Sequence, residues 1–144
     1  MKIATIFISL LPLLCSVTSA YASVTPEQRT LFQTAYQAAQ EGKFDEVNAY
    51  SASLKNYPLF PWLEFEYLKQ NIATVSDESV IAFTSRYPHS VISDELYELW
   101  ANKMAATHNW QDLFNGLPPE HSNNSIQCYR ALALSKLGRV TDSV

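Results

Sequence analysis

From Thr25 onward, apolar residues return every three or four positions in short stretches punctuated by Pro, Gly, Asn and Ser. That period belongs to amphipathic helices, and the punctuation predicts several short ones. Thr25-Pro26-Glu27-Gln28 supplies an N-cap threonine, a proline at the first helical position and a glutamine placed for a capping box. The helix it opens runs to about Glu41, with Leu31, Phe32, Ala35, Tyr36 and Ala39 on one stripe and Gly42 as the C-terminal stop. Lys43 and Phe44 lead into a second helix to about Lys55, whose inner face carries Phe44, Val47, Tyr50 and Leu54. Together the two predict an αα-hairpin.

The next stretch, Tyr57-Pro58-Leu59-Phe60-Pro61-Trp62-Leu63-Glu64-Phe65-Glu66-Tyr67, sets two prolines before an aromatic-rich helix. Each proline fixes its own φ and disfavours helical geometry in the residue before it, so a helix is expected to begin at Pro61 and fade near Ile72. Ser76-Asp77-Glu78 provides a cap and N-terminal negative charge for a short helix through Val80, Ile81 and Phe83, ended by Tyr87-Pro88. A longer helix follows from about Ile92 to Thr107, with Leu96, Leu99, Trp100 and Met104 spaced for burial. Asn109 to Phe114 reads as a brief helix closed by Gly116, Pro118-Pro119 stiffens the link, and a further helix covers roughly Ser125 to Leu137. Gly138 to Val144 looks like a turn and the opening of another helix, with Thr141 as its N-cap.

Turn-then-apolar units recur as Gly42-Lys43-Phe44, Asn109-Trp110 and Gly138-Arg139-Val140, with the Ser76-Asp77 cap near the middle of the larger gap. This spacing is consistent with helical pairs recurring at about the 34-residue period of tetratricopeptide-like solenoids. No repeat reproduces that consensus. The expected fold is therefore all-α: an irregular α-superhelix, a solenoid of helical hairpins in which each pair buries its remaining apolar face on the next. Only three glycines, beside abundant Ala, Leu, Glu and Gln, agree with helices rather than turn-dense β structure.

Met1 to Ala22 has the three parts of a secretory signal: Lys2, an apolar run from Ile3 to Leu14, and small residues before a cleavage point. Cleavage is expected after Ala22 or Ala20, leaving residues 23–144 as the exported chain and the periplasm as its compartment. Pro12 interrupts the apolar run, which is shorter than the roughly 20 residues of a spanning helix, so no stable membrane span is expected. Leu13-Leu14 before Cys15 lacks the small residue that lipid attachment needs. Removing Lys2, the signal's single charge, takes the formal net charge from -4 to -5. With Lys and Arg scattered one by one, nucleic acid is not an expected partner.

Loss of Cys15 leaves Cys128 alone in an oxidising compartment, which points to a missing partner, a dimer link or a buried free thiol. His89, His108 and His121 form no ligand pair with each other, and each is read as a surface or helix-end residue. No metal and no cofactor is expected, and nothing local marks a Cys128–His nucleophile. Glu64 and Glu66 invite comparison with the paired carboxylates of glycosidases. Residues two apart on a helix point in different directions, so both are read as solvated or ion-paired. Tyr57, Phe60, Trp62, Phe65 and Tyr67 could stack on sugar rings, but at helical spacing they are assigned to the seam between hairpins. Asn123-Asn124-Ser125 matches a glycosylation sequon only in form.

Leu54 to Phe65 resembles the "L-K-x-Y-P-L-Y-P-Y-L-E-Y" segment of the soluble lytic murein transglycosylases, with Trp62 and Phe65 where tyrosines are common. Glu27-Gln28-Arg29 is similar to that family's opening helix, and Trp110 with Leu113 to its "D-W-x-x-L" turn. Gln127-Cys128-Tyr129 matches a point where the family has a cysteine paired with one downstream. The resemblance spans nearly all of residues 23–144 and implies the N-terminal part of a ring-shaped superhelix, truncated before a lysozyme-like domain. That domain cleaves the β-1,4 bond between N-acetylmuramic acid and N-acetylglucosamine, leaving a 1,6-anhydromuramyl end. Its glutamate and its "G-L-M-Q" and "A-Y-N-A-G" motifs have no counterpart here. The expectation is a scaffold, inactive alone, with no catalytic, cofactor-binding or metal-binding residue of its own, meeting peptidoglycan glycan strands through the missing domain. The alternative is a stand-alone periplasmic helical-repeat adaptor with a protein partner.

Overall fold

Capping chemistry sets the element boundaries in the structure, a computed structural model that describes residues 24–119 and 121–139. The expected signal segment and the turn at Thr141 lie outside the described residues. Among the described residues seven helices follow one another: α1 Pro26–Gln40, α2 Phe44–Leu54, α3 Phe60–Gln70, α4 Asp77–Arg86, α5 Val91–Ala106, α6 Trp110–Gly116 and α7 Asn124–Lys136. The chain is all-α, as its periodicity predicts.

At the start of α1 the backbone N–H of Gln28 donates to Thr25 Oγ1 at 3.2 Å, and Thr25 N–H donates back to Gln28 Oε1 at 3.2 Å, completing the capping box. Ser76 and Ser90 cap α4 and α5, each accepting from the N–H three residues on at 3.3 Å. Helix α3 begins at Phe60, one residue ahead of the expected Pro61. Proline is tolerated in the first turn because its missing N–H would have had no intrahelical partner there.

The recurrent turn units share one geometry. Gly42, His108 and Gly138 each adopt left-handed backbone, with φ of 74°, 58° and 70°. The next N–H returns to the carbonyl five residues back in all three: Lys43 to Ala38, Asn109 to Met104 and Arg139 to Leu134, each at 2.9 Å. These are Schellman-type ends that satisfy otherwise orphaned helix carbonyls. They close α1, α5 and α7, three of the four first helices, whereas α3 ends at Asn71 without a left-handed residue.

Gly116 behaves differently from the expected cap. It is the last residue of α6, and a Cβ placed on it would collide with the Trp100 ring. Glycine stands there because helix and indole approach too closely for a side chain. Leu99, expected in the core, is only half-buried. Trp100, on the adjacent stripe of α5, takes the central position and is fully buried.

Two apolar clusters form, joined at α3. Phe32, Ala35, Ala38, Ala39, Val47, Leu54 and Leu63 make the first. The second runs from Phe65 and Leu68 through Val80, Phe83, Leu96 and Trp100 to Leu113, Ile126 and Ala133. Trp62 packs against both. The aromatic helix forms the seam through four of the five expected residues: Tyr57 stacks on Phe32 at 4.9 Å, Trp62 meets Tyr36 and Phe65 edge-on at 6.4 and 6.0 Å, and Phe60 packs on the first cluster, whereas Tyr67 stays exposed beside Phe44.

The first helices α1, α3, α5 and α7 pack in a continuous row, and the second helices lie against it, α2 chiefly on α1, α4 more on α5 than on α3, and α6 more on α7 than on α5. Helices α2, α4 and α6 make no comparable packing on one another.

Candidate functional site

The spread of the second helices opens two clefts. The larger, of about 560 Å³, lies between α2 and α4 with α3 as its floor. Phe44, Val47, Asn48 and Ser51 line it from α2; Phe60, Leu63, Glu64, Tyr67 and Leu68 from α3; Ser79, Ala82, Phe83 and Arg86 from α4. Each wall follows from helical spacing, since residues three and four apart share a face. The smaller cleft, of about 240 Å³, lies between α4 and α6, against Trp100, with Asp77, Glu78 and Asp112 on its rim.

The large groove has an apolar bottom and a polar rim. Val47, Leu63, Leu68 and Phe83 are buried beneath it, whereas Tyr67 is 46% exposed and meets Phe44 edge-on at 5.0 Å. Glu64 Oε1 lies 3.4 Å from Arg86 Nη1, and Glu64 Oε2 accepts from the Tyr87 hydroxyl at 3.4 Å. Burial, then the Glu64 charge, pushes the Tyr87 phenol above its ordinary range. Ser51 donates to the Val47 carbonyl at 3.0 Å, but the Asn48 side-chain amide makes no hydrogen bond among the described residues.

A second arrangement of polar groups runs between successive first helices. Tyr36 of α1 donates to Glu66 Oε1 of α3 at 3.4 Å, Lys69 of α3 pairs with Glu95 of α5 at 2.9 Å, and Tyr129 of α7 donates to Asn102 Oδ1 of α5 at 2.6 Å. Burial, then Glu66, raises the Tyr36 pKa. These links fix the stacking register of the row.

Glu64 and Glu66 thus serve different faces, the first turned to α4 and the second to α1. The two-residue spacing predicts this divergence of direction. Glu66 nevertheless departs from expectation: it is buried, 6% exposed, beneath Tyr36. The pattern of α3 could not reveal this, because the cover comes from a helix 30 residues earlier.

His89 and His108 sit at helix ends with φ of 58°. His121 is a correction, since its side chain is only 4% exposed. Its Nδ1 accepts the backbone N–H of Asn123 at 3.1 Å, and its Nε2 lies 3.3 Å from Asp94 Oδ1. An accepting Nδ1 leaves the proton on Nε2, facing Asp94. Asp94 Oδ1 makes no hydrogen bond of good geometry, so the contact is a weak one. Asn123 is occupied too: Oδ1 caps α7 through the Ser125 N–H at 2.9 Å, and Nδ2 reaches Glu98 at 3.2 Å. Cys128 is exposed and unpaired among the described residues, which removes the buried-thiol alternative. No group of three His, Cys, Asp or Glu side chains able to hold a metal occurs among the described residues. No described helix is long and apolar enough to cross a membrane.

The chain is similar to the soluble lytic murein transglycosylase of Escherichia coli (strain K12), 26% identical over 109 residues, which cover 76% of this chain and 17% of that protein. It is equally similar, over the same shares, to the soluble lytic murein transglycosylase of Salmonella typhimurium. The matched stretch therefore spans about one sixth of the relatives' own length. No family model matches the chain, and no solved structure matches it significantly.

Proposed function

We propose that residues 23–144 form the N-terminal scaffold segment of an exported lytic murein transglycosylase, a peptidoglycan-cleaving enzyme whose bond-breaking residues lie outside this chain. The observation that carries the reading is the similarity over 109 residues to murein transglycosylases, in a chain whose described part is a stack of helical pairs. Its polar side chains support a structural role. Glu64, Glu66 and Asp77 each bind a neighbouring element: Glu64 accepts from Tyr87, Glu66 from Tyr36 and Asp77 from the Trp100 indole.

In this role the stack would hold a catalytic domain near the glycan strands, and the export signal at Met1–Ala22 would deliver it to the periplasm. Sequencing the coding DNA past Val144 tests the proposal. An in-frame lysozyme-like segment with a glutamate in an "E-S" context is the expected result. A stop codon directly after Val144 would overturn it and leave the adaptor reading in its place.

A further inference from the structure

We propose that the groove between α2 and α4 is a binding site for one or two N-acetylated sugar units of a glycan chain. The inference rests on the murein-linked reading above and adds a site on the scaffold itself. At about 560 Å³ the groove falls within the roughly 300–1,000 Å³ of small-ligand clefts. A wholly apolar ligand fits poorly, because it would strip water from Glu64, Arg86 and Asn48 without replacing it.

A sugar ring has an apolar C–H face and a rim of hydroxyls, and the groove offers the matching pair of surfaces. Tyr67, half-exposed and steadied edge-on by Phe44, provides a platform for the C–H face. The Glu64–Arg86 pair sets an acceptor beside a donor for neighbouring hydroxyls. Asn48 adds an amide without a partner, able to donate and accept at once, next to the apolar Val47. An acetamido group presents the complement: one N–H, one C=O and a methyl.

Titration of the ¹⁵N-labelled chain with tri-N-acetylchitotriose, with cellotriose as the control lacking acetamido groups, tests the site by amide chemical shifts. Saturable shifts centred on Asn48, Leu63, Tyr67 and Arg86, at least about threefold tighter for the N-acetylated trimer, are expected. Asn48→Ala and Tyr67→Ala are each expected to weaken binding about three- to tenfold, Asn48→Ala with an unchanged melting temperature because its side chain is exposed, and Tyr67→Ala with a small loss from the Phe44 contact. Three results each overturn the site: no saturable shift, shifts centred around Trp62 and away from the groove, or variants that bind as tightly as the parent. Any of them leaves the scaffold reading standing, because that reading is decided by the downstream reading frame and needs no glycan contact here.

Discussion

Replacing Gly116 with alanine adds one methyl group where α6 crosses Trp100. The new Cβ would overlap Trp100 Cη2 and stand 3.1 Å from Cζ2 and Cζ3. The ring is fully buried, and its Nε1 donates to Asp77 Oδ1 at 2.9 Å, which opposes its displacement. Overpacking a well-filled core costs about 1–3 kcal/mol. Alanine's better helix propensity returns about 0.5–1 kcal/mol. The overpacking wins, with a net loss of about 1–2 kcal/mol. For a domain slightly above 100 residues, each kcal/mol moves the midpoint by about 4 °C, so Gly116→Ala should melt about 4–8 °C lower by circular dichroism. Near-ultraviolet dichroism should change as well, because the displaced indole is a dominant chromophore of the core. An unchanged or raised midpoint would show that α6 and Trp100 do not meet as described.

Asp77→Ala should cost about 1–3 kcal/mol in urea denaturation, because the buried Trp100 indole N–H and Lys103 both lose their acceptor, while Asp77→Asn should recover part of the loss. His108→Gly should raise stability by about 0.5–1 kcal/mol, since glycine adopts φ of 58° without the Cβ penalty; a drop in the melting midpoint would contradict a left-handed turn there. Tyr36 and Tyr87 both have pKa values raised above the unfolded phenol, so their neutral forms favour the fold. Their contribution is complete below the unfolded pKa near 10 and is lost as pH rises through the folded values. Tyr36→Phe/Tyr87→Phe should therefore lose less melting temperature than the parent between pH 9 and pH 11, and an equal or larger loss would count against burial of these phenols. Cys128 should react with a thiol reagent at the same rate in the native as in the urea-unfolded exported chain; strong native protection would contradict its exposure.

The local grammar of this chain was readable. Thr25, Ser76 and the αL turns act through residues three to five positions away, so the information that fixes them is contiguous. Periodicity also assigned the aromatic residues of α3 to a seam, because a 3.6-residue stripe means the same thing wherever the partner helix comes from. Contacts that depend on crossing geometry were not readable. Gly116 resembles an ordinary helix stop until Trp100 is placed against it, and Glu66 resembles a surface glutamate until α1 covers it with Tyr36. His121 is buried by the approach of the α6–α7 link to α5, which no pattern within that link records. The groove between α2 and α4 exists because those two helices both pack on α3 without packing on each other, a property of the stack rather than of any one segment.

Purified murein sacculi incubated with the 144-residue chain, with soluble products resolved by mass spectrometry, test directly whether this stack is scaffold and not blade. No 1,6-anhydromuropeptide should appear above the protein-free control. Enzyme-dependent release of that product would show that a cutting group lies within these helices.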